Sequence, residues 1–572
     1  DGSRLLKMAV LLGDKYRDVI TYPMDKVGTD ESTFYRALYA DYTVHYAWPD
    51  NPYQPDMGDF TDVQVALNTA STISQTVTLT PTVFDEWTST GLYAPPGKAI
   101  TVKRTDSGTN VVNLRFNMLR ESTRIWNTNS YSRPRYMASP SIALKPGQTY
   151  TLSTPYGEPI YLNWDAVPTG ATPFTVEFSN VLDNPLLTAF DEASISAFLN
   201  DVESTASDWI DIKTPFAEIH TLKQHMINAF KDQDGNKTNG YTILDVQAYI
   251  EDLNNYLIKG NYAYAGFTGA DLPPLNAEVQ AFCTAFQLTN LVYDGATKNL
   301  CTDPVIHAKP KIQHINSDIN AACGSLCSGN PFDSGGSIKP LDWGENHEMG
   351  HNLQRDRMKI YDDRSGEVSN NIFPLHTQWQ WTVAQGLAKH PSQTRPSNQA
   401  AFNLLQNAIK SGTPANGSHP LWSGTGVYDN AFERLSFYMQ LAYTQQSWDV
   451  YTKIYLLERI FSDANQSDAK WTAVKDRLGF GNYSRTAAQN ISANDFIYIA
   501  ASMIGVRNYS EFFEVWGIEL SQAAKDQVTA NNITAQVPKR FYYVNNELSA
   551  LMPSDAKTLQ LDGVATWSAP TP

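Results

Sequence analysis

The pattern of hydrophobic and polar positions divides the chain into four stretches, of which the first and the last are short. Residues 1–62 combine an amphipathic helix with an aromatic run, followed by a proline-rich connector between Trp48 and Pro55. The aromatic run comprises Phe34, Tyr35, Tyr39, Tyr42, Tyr46 and Trp48. Rings in such runs more often form a packing layer than a binding site, so we expect these to pack.

Between residues 63 and 180 the pattern changes to short strands, which are rich in β-branched and aromatic residues and separated by Gly, Pro, Asn and Ser turns. The predicted strands are Thr76–Leu79, Ala99–Val102, Asn110–Phe116, Tyr150–Leu152, Ile160–Leu162 and Phe174–Phe178. Their spacing predicts an antiparallel β-sandwich. Its role stays open between structural support and a carbohydrate-facing surface, because a fold does not specify a function.

Helical periodicity dominates residues 185–545. The predicted helices are Glu192–Val202, Thr221–Phe230, Ile243–Leu257, Val279–Leu288, Gln378–Gly386, Ala400–Ile409 and Asn430–Tyr443, together with one around residue 347. Residues 546–572 are rich in proline and alanine and are predicted to form a tail or a final pair of strands. The predicted fold class is therefore multidomain α+β, with a β-sandwich followed by a mainly helical domain.

Composition narrows the classes of function. The 572 residues suffice for several domains with large cores. A net charge of −16 without a run of lysine or arginine makes nucleic acid and anionic membranes poor partners. No stretch is long and apolar enough to span a bilayer, and the opening Asp1-Gly2-Ser3 suggests a processed or trimmed start that carries no signal or anchor. Aromatic residues, at 12%, suit sugar stacking and β-rich cores equally.

The four cysteines lie close together in the chain, at positions 283, 301, 323 and 327. An even count in a chain otherwise poor in cysteine predicts two disulfides. The expected pairing is local, Cys283–Cys301 and Cys323–Cys327, and the other two connectivities remain alternatives. A second zinc site is disfavoured, because these spacings match no zinc-binding pattern well.

One pentapeptide carries the candidate chemistry. His347-Glu348-Met349-Gly350-His351 reads H-E-x-x-H, and Glu367 follows sixteen residues after His351. Residues four apart share one face of a helix, so both imidazoles can point at one ion, and Glu348 lies beside it as a base. Two imidazoles and a carboxylate leave the fourth zinc position open, as catalytic sites require. We predict Zn²⁺ held by His347, His351 and Glu367, with Glu348 as the catalytic base.

Neighbouring residues predict that the motif lies on a helix with a defined start. Asp342 and Glu345 form a D-x-x-E pair, which is typical of a capping box. Met349, Leu353 and Ile360 are spaced for the buried face of that helix. Three aspartates between His351 and Glu367 are alternative third ligands: Asp356, Asp362 and Asp363.

Three stretches resemble one known family. Trp343–Gln354 resembles the signature of the enhancin-like, mucin-directed zinc metallopeptidases, and Gly366–Phe373 resembles the stretch around their third ligand. Ser89–Val102 resembles the opening of the same family's domain, so that the match covers about residues 65–510. Within this family, these residues most resemble the bacterial accessory-colonisation-factor and secreted lipoprotein mucinase branch. The resemblance implies a gluzincin-type fold, zinc, a secreted or bacterial-surface location, and cleavage of O-glycosylated mucin-type proteins.

The resemblance also suggests substrate contacts. Gly329-Asn330-Pro331-Phe332 resembles the family's segment that lines the substrate cleft, where backbone groups can pair with an extended peptide by strand addition. Trp343 lies within the signature itself. Gly350 either leaves room for a bulky glycopeptide or serves helix packing. Arg434 either hydrogen-bonds a sugar or substrate carbonyl or belongs to a buried ion pair.

Other polar residues near the motif are candidates for supporting roles. His376, Tyr428 and Tyr438 are candidate oxyanion partners, with a place in the core as the alternative for each. The candidates for orienting the ligand imidazoles are Asn346, Asn352 and Gln354.

Three hypotheses for function follow. The first is a secreted zinc endopeptidase that acts on O-glycosylated, mucin-like protein, and the second is a zinc peptidase of the same fold without a glycan requirement. The third is a mucin- or carbohydrate-binding adhesin whose peptidase site is incidental. A complete ligand set together with Glu348 argues against the third, because a degenerate site usually loses its base or a ligand.

Overall fold

The computed structural model divides into two compact units, Asp1–Glu251 with Pro310–Lys339 and Asp252–Lys309 with Pro340–Pro572. The described residues are 2–17, 19–45, 48, 67, 70–81, 86–120, 130–131, 133–165, 172–231, 240–308, 311–319, 321, 324–387, 398–544 and 553–568. This division does not follow the domain boundaries at residues 62, 180 and 545, which stay predictions. Among the described residues, no helix is long and apolar enough to cross a membrane.

The first unit begins with two packed helices, α1 (Gly2–Arg17) and α2 (Glu31–Val44). The Asp30 side chain caps α2 by accepting hydrogen bonds from the amides of Ser32 and Thr33. Of the predicted aromatic layer, Phe34 and Trp48 are buried, whereas Tyr35 and Tyr39 are exposed. Tyr46 and the connector from 49 to 55 lie outside the described residues.

An antiparallel sheet of eight strands follows, with most of its buried side chains in one core. Its strands are β2 (Ile73–Leu79), β3 (Glu86–Ala94), β4 (Ile100–Arg104), β5 (Val112–Phe116), β7 (Ile142–Ala143), β8 (Thr149–Leu152), β9 (Glu158–Trp164) and β10 (Phe174–Asp183). A separate pair, β1 (Met24–Asp25) and β6 (Ser130–Tyr131), lies beside α2. Strand β10 joins two groups of strands within this sheet. Its first part pairs with β2 and β4, and its end pairs with β3. This confirms the antiparallel β-rich N-terminal region, including all six predicted strands.

The first unit also contains a six-stranded mixed sheet that the sequence did not predict. Its order is β11 (Leu186–Leu187), β12 (Trp209–Lys213), β13 (Ala217–Leu222), β16 (Gln313–Ser317), β18 (Phe332–Ser334) and β17 (Leu326–Cys327). Strand β13 is buried along almost its whole length, so its sequence shows no alternation of polar and apolar residues. Three helices complete the unit: α3 (Glu192–Ser204), α4 (Lys223–Lys231) and α5 (Ile243–Asp252). The helix predicted from Thr221 therefore begins two residues later, after β13.

The second unit is mainly helical, as predicted. A turn of π-helix (Leu253–Ile258) leads into α6 (Lys259–Tyr264), and α7 (Ala277–Ala285) precedes the hairpin of β14 (Leu291–Tyr293) and β15 (Ala296–Lys298). The other helices are α8 (Trp343–Leu353), α9 (Ile372–Ala384), α10 (Asn398–Lys410), α11 (Ala431–Gln445), α12 (Asp449–Ala464), α13 (Asp468–Val474), α14 (Arg485–Gln489), α15 (Ala493–Gly505), α16 (Ser510–Val515) and α17 (Gln522–Ala530). Strand β19 (Arg540–Tyr543) pairs with β20 (Lys557–Gln560), so the described part of residues 546–572 contributes one strand, whose partner precedes that stretch.

Helix α9 begins six residues earlier than the sequence predicts. Pro374 lies in its first turn, where a residue without an N–H loses no intrahelical hydrogen bond. The predicted disulfide Cys283–Cys301 is confirmed and joins α7 to the segment after β15. Cys323 lies outside the described residues, so the pairing Cys323–Cys327 stays a prediction.

Candidate metal centre

The H-E-x-x-H motif lies on α8, a short helix with one buried face. Asp342 is its N-cap residue, but its side chain makes no capping hydrogen bond, so the Asp342 half of the predicted capping box is not formed. Met349 and Leu353 are buried on the helix, as their spacing predicts. Ile360 is buried too, but it lies beyond the helix end, which corrects the predicted extent of that face.

Three side chains converge on the open side of α8. The Glu367 Oε2 atom lies 3.1 Å from His347 Nε2 and 3.2 Å from His351 Nε2. Each of the three side chains is about one-fifth exposed: 19% for His347, 18% for His351 and 20% for Glu367. The loop from α8 to α9, built of short 3-10 turns, carries Glu367 to this position.

The geometry of these atoms fits a zinc-sized ion. A tetrahedral ion with ligands at about 2.1 Å separates its ligand atoms by about 3.4 Å. The measured separations from Glu367 are close to this value, and one ligand atom from each residue lies within 4.8 Å of the others. The alternative ligands do not join this group, since Asp362 and Asp363 are exposed and the Asp356 side chain, 96% exposed, pairs with Lys359.

Two asparagines that the sequence did not single out for a role contact the imidazoles. His347 Nδ1 lies 2.7 Å from Asn371 Oδ1, which can only accept, so Nδ1 donates there and Nε2 faces Glu367. Asn370 Nδ2 lies 3.1 Å from His351 Nε2 and also donates to the His347 carbonyl. Asn371 Nδ2 donates to the Glu367 carbonyl, which ties the third side chain to the same turn. The sequence signal is their position, three and four residues after Glu367.

Electrostatics in the cluster favour an ionised carboxylate. Hydrogen bonds from His347 and His351 hold the pKa of Glu367 well below its usual range, although partial burial opposes them. Burial acts to lower the pKa of His347, but hydrogen bonds to Glu367 and Asn371 and the charge of Glu348 outweigh it and raise that pKa. A metal ion that replaced the imidazole protons would be attracted by the same negative charge on the Glu367 carboxylate.

Glu348 occupies the position next to the cluster. It lies about 100° round the helix from His347 and is half-buried, like the two histidines, whereas Met349 and Gly350 are buried. Its charge acts on His347, which places the carboxylate within electrostatic range of the cluster.

Gly350 packs against the loop that carries Glu367. A Cβ atom at this position would lie 2.4 Å from the Asn370 carbonyl oxygen and 3.1 Å from Phe373. Such distances leave no space for a side chain, and Gly350 is itself buried. The structure thus favours helix packing over room for a glycopeptide.

Two of the predicted supporting residues act on the backbone and not on the imidazoles. The amide of Asn346 is buried and donates to the carbonyls of Pro340 and Asp342, while its oxygen accepts from Asn261 and Thr377. Gln354 donates to the Gly366 carbonyl and to Ser369. They fix the start of α8 and the Glu367 loop respectively, and Asn352 is half-buried on α8.

Arg434 is a structural residue of the second unit. Its guanidinium is fully buried and lies over the Trp422 ring at 5.5 Å. It donates to four backbone carbonyls, those of Arg364, Leu421, Gly424 and Gly426. Neither the predicted sugar contact nor the predicted ion pair matches this arrangement, because nearly all its donors are already used.

The candidate oxyanion partners separate by burial. Tyr438 donates to the Met358 carbonyl and accepts from the Ile360 amide, so it belongs to the core. His376 is buried and stacks on Tyr264 with ring centroids 3.6 Å apart. Tyr428 is 73% exposed and is the accessible residue of the three.

Trp343 lies one turn before His347 on the same face of α8. Its ring centroid is 6.1 Å from that of Phe432, which is 44% exposed. The two rings form a half-open aromatic surface on the second unit.

The segment Gly329–Phe332 belongs to the first unit and its polar groups are engaged there. The Asn330 side chain accepts from the His314 amide and donates to the Ile312 carbonyl. Phe332 is buried and starts β18, an inner strand flanked by β16 and β17. Strand addition next to β18 is therefore blocked, because an added strand needs an unpaired edge.

The converging ligand atoms and the adjacent Glu348 have the arrangement of metallopeptidase sites of the H-E-x-x-H class. Residues 335–517 match the family Peptidase M60, enhancin and enhancin-like, residues 61–179 match the N-terminal domain of M60-like peptidases, and residues 1–49 match the immunomodulating metalloprotease helical domain. The chain therefore carries an M60, enhancin-like peptidase domain with its N-terminal partner domain, which confirms the family resemblance. The closer resemblance to the accessory-colonisation-factor branch stays a prediction.

The chain is similar to known proteins along nearly its whole length. The immunomodulating metalloprotease of Pseudomonas aeruginosa is 32% identical over 590 residues, covering 100% of this chain and 60% of its own length. The solved structure of the Pseudomonas aeruginosa protein IMPa with an O-glycopeptide superposes with a TM-score of 0.80 at 30% identity, over 99% of this chain and 62% of that one. Its complex with T-antigen gives 0.79 at 31% identity, over 99% and 62%. The chain thus spans about three-fifths of the relatives it matches.

Proposed function

We propose that this chain is a secreted zinc endopeptidase that hydrolyses peptide bonds in O-glycosylated, mucin-type proteins. The observation that carries the proposal is the convergence of His347, His351 and Glu367 on one point with Glu348 beside them. Relatives at 30–31% identity bind an O-glycopeptide and T-antigen, which supports the choice of substrate.

The chain's own residues supply the proton transfers. When bound by His347, His351 and Glu367, zinc supplies Lewis acidity, which lowers the pKa of water and polarises a carbonyl. Glu348 accepts a proton from the attacking water as its oxygen bonds to the scissile carbon, and passes it to the nitrogen when the C–N bond breaks. Asn371 accepts from His347 Nδ1, so that Nε2 is the nitrogen that faces Glu367.

The aromatic surface of Trp343 and Phe432 supports recognition of a sugar. Both rings are accessible on the second unit, and Trp343 shares the face of α8 that carries His347. An aromatic ring offers a sugar an apolar face, while polar groups around it fix the hydroxyls. We propose that this surface receives the glycan next to the scissile bond.

The test compares one mucin-type glycoprotein before and after enzymatic removal of its O-glycans. We expect deglycosylation to lower kcat/KM, by up to about ten-thousand-fold, because sugar contacts contribute to transition-state binding. Sequencing the new N-termini locates the cut relative to the sugar-bearing residue. Glu348→Gln is the inactive control for contaminating proteases.

A Trp343→Ala variant sharpens the test. It should lower kcat/KM on the glycosylated form and leave the slow reaction on the bare backbone unchanged. Equal rates of the parent on the two forms would establish a plain peptidase instead. Metal-independent mucin binding without cleavage would establish an adhesin.

A further inference from the structure

Three neighbouring strands in the first unit bring four ionisable side chains to one face of the six-stranded sheet. The register pairs Asp211 of β12 with His220 of β13, and Glu218 of β13 with His314 of β16. Glu218 and His220 are two residues apart, so their side chains leave the strand on the same side. All four residues are at most 4% exposed. Charged groups this deeply buried are normally paired or bound to a metal.

The centre of this group consists of two imidazoles and one carboxylate. His220 Nε2 lies 2.9 Å from His314 Nδ1, and the two rings stack at 5.3 Å. One ligand atom from each of Glu218, His220 and His314 lies within 4.8 Å of the other two. Without a metal, one proton between His220 Nε2 and His314 Nδ1 makes one nitrogen the donor and the other the acceptor. A cation between them would instead be bound by the lone pairs of both nitrogens and by the Glu218 carboxylate.

Asp211 contacts the other ring nitrogen of His220, Nδ1, in the position from which a carboxylate often supports a metal-binding histidine. Its Oδ1 lies 2.8 Å from His220 Nδ1 and also accepts from Tyr161, at 2.9 Å. Its Oδ2 accepts from Ser89 and Asn184, at 2.7 and 2.8 Å. A carboxylate so placed holds the proton on Nδ1 and turns the Nε2 lone pair inward.

Glu218 is likewise held from outside. The Ser89 amide donates to its Oε2 at 2.9 Å, while Thr88 and Lys213 contact Oε1.

We propose that Glu218, His220 and His314 form a second metal site, which binds a divalent transition-metal ion and ties β13 to β16. Two imidazole nitrogens and a carboxylate oxygen suit Zn²⁺, which is the ion to test. The site is closed to solvent, so its role is structural.

The experiment counts metal in the folded full chain. The double variant His351→Ala/Glu367→Ala removes two ligands of the centre in the second unit. After equilibration with zinc and removal of free metal, mass spectrometry should find about one equivalent in this variant. Adding His314→Gln should remove that equivalent. Adding His225→Gln, a partly buried histidine on α4 outside the group, should leave it in place.

Two results would overturn the proposal. No metal in the double variant would show that His220 and His314 share only a hydrogen bond. Metal that persists after His314→Gln would place the ion elsewhere.

Should His314→Gln fail to fold, Asp211→Asn in the same background decides the question. It leaves all three ligands in place, changes the acceptor behind His220, and should weaken zinc retention against a chelator about 10–100-fold. Unchanged retention would contradict the proposal.

Discussion

The His347–His351–Glu367 site in the second unit and the Glu218–His220–His314 group in the first use the same donor types in different surroundings. The three side chains of the former are 18–20% exposed, whereas the residues of the latter are at most 4% exposed. Beside the former lies the half-buried Glu348. Beside the latter lies Asp211, whose oxygens already accept from four groups.

The difference shows what separates a reactive metal site from a closed one. Donor atoms and their spacing are alike, so they specify a place for a cation and no more. Reaction needs access for a substrate, which the exposed side chains of the former allow and the burial of the latter does not. On these grounds only the former, among the described residues, is built for hydrolysis.

The largest expected effect is that of Glu348→Gln on turnover. The change keeps the size of the side chain but removes its basicity, so kcat should fall about a hundred- to ten-thousand-fold while zinc stays bound. Bound zinc and rate should be measured on one preparation, with Asp356→Asn, an exposed carboxylate of the same region, as control. A normal rate would remove Glu348 from the mechanism, and lost zinc would make it a ligand or structural residue.

The next effect concerns the group behind His347. Asn371→Ala removes the acceptor of the Nδ1 proton and should weaken zinc affinity about 10–100-fold, as measured by chelator competition. Asn371→Asp keeps an acceptor oxygen and should retain most of the affinity. If both variants bind zinc as tightly as the parent, the orientation of the His347 ring does not depend on Asn371. Asn371 would then not correspond to Asp211, which contacts His220.

Local patterns predicted much of this molecule. Strands such as β4 and β8 alternate between buried and exposed residues, so a period of two was visible in the sequence. Strands β12 and β13 are buried on both faces and lack that period, which is why the six-stranded sheet was missed.

The residues of the candidate site also fall into those that local sequence patterns predict and those that they do not. Helical spacing brought His347 and His351 together, and a motif pointed to Glu367. Asn370 and Asn371 act through a turn that only the folded loop forms. Glu218 and His314 are 96 positions apart and meet through strand register, which local patterns do not carry.

A smaller effect is expected from Gly350→Ala. This variant distinguishes a role of Gly350 in helix packing from a role in leaving space for the substrate. The added Cβ would meet the Asn370 carbonyl, so the Glu367 loop must shift, at a loss of about 1–3 kcal/mol in stability. Thermal unfolding should show the loss with zinc and without it. Gly336→Ala is the matched control, because a Cβ there meets no atom within 4 Å. A variant as stable as the parent that loses only glycoprotein cleavage would restore the substrate role.

The smallest effect is a dependence of stability on pH that tests the burial of His376. Burial lowers its pKa to about 3 from an ordinary 6.5. Below about pH 6.5 the unfolded chain therefore binds a proton that the folded chain does not, and stability falls as pH decreases, by up to about 1.4 kcal/mol per pH unit from this residue. His376→Phe keeps a ring against Tyr264 and removes this contribution, so the variant should lose less stability between about pH 6.5 and pH 5.5. Guanidinium unfolding midpoints at both pH values give the comparison, with the exposed His45→Phe as control. A difference between parent and variant that does not change with pH would mean that His376 is accessible to protons, and would return it to the candidates for contact with substrate.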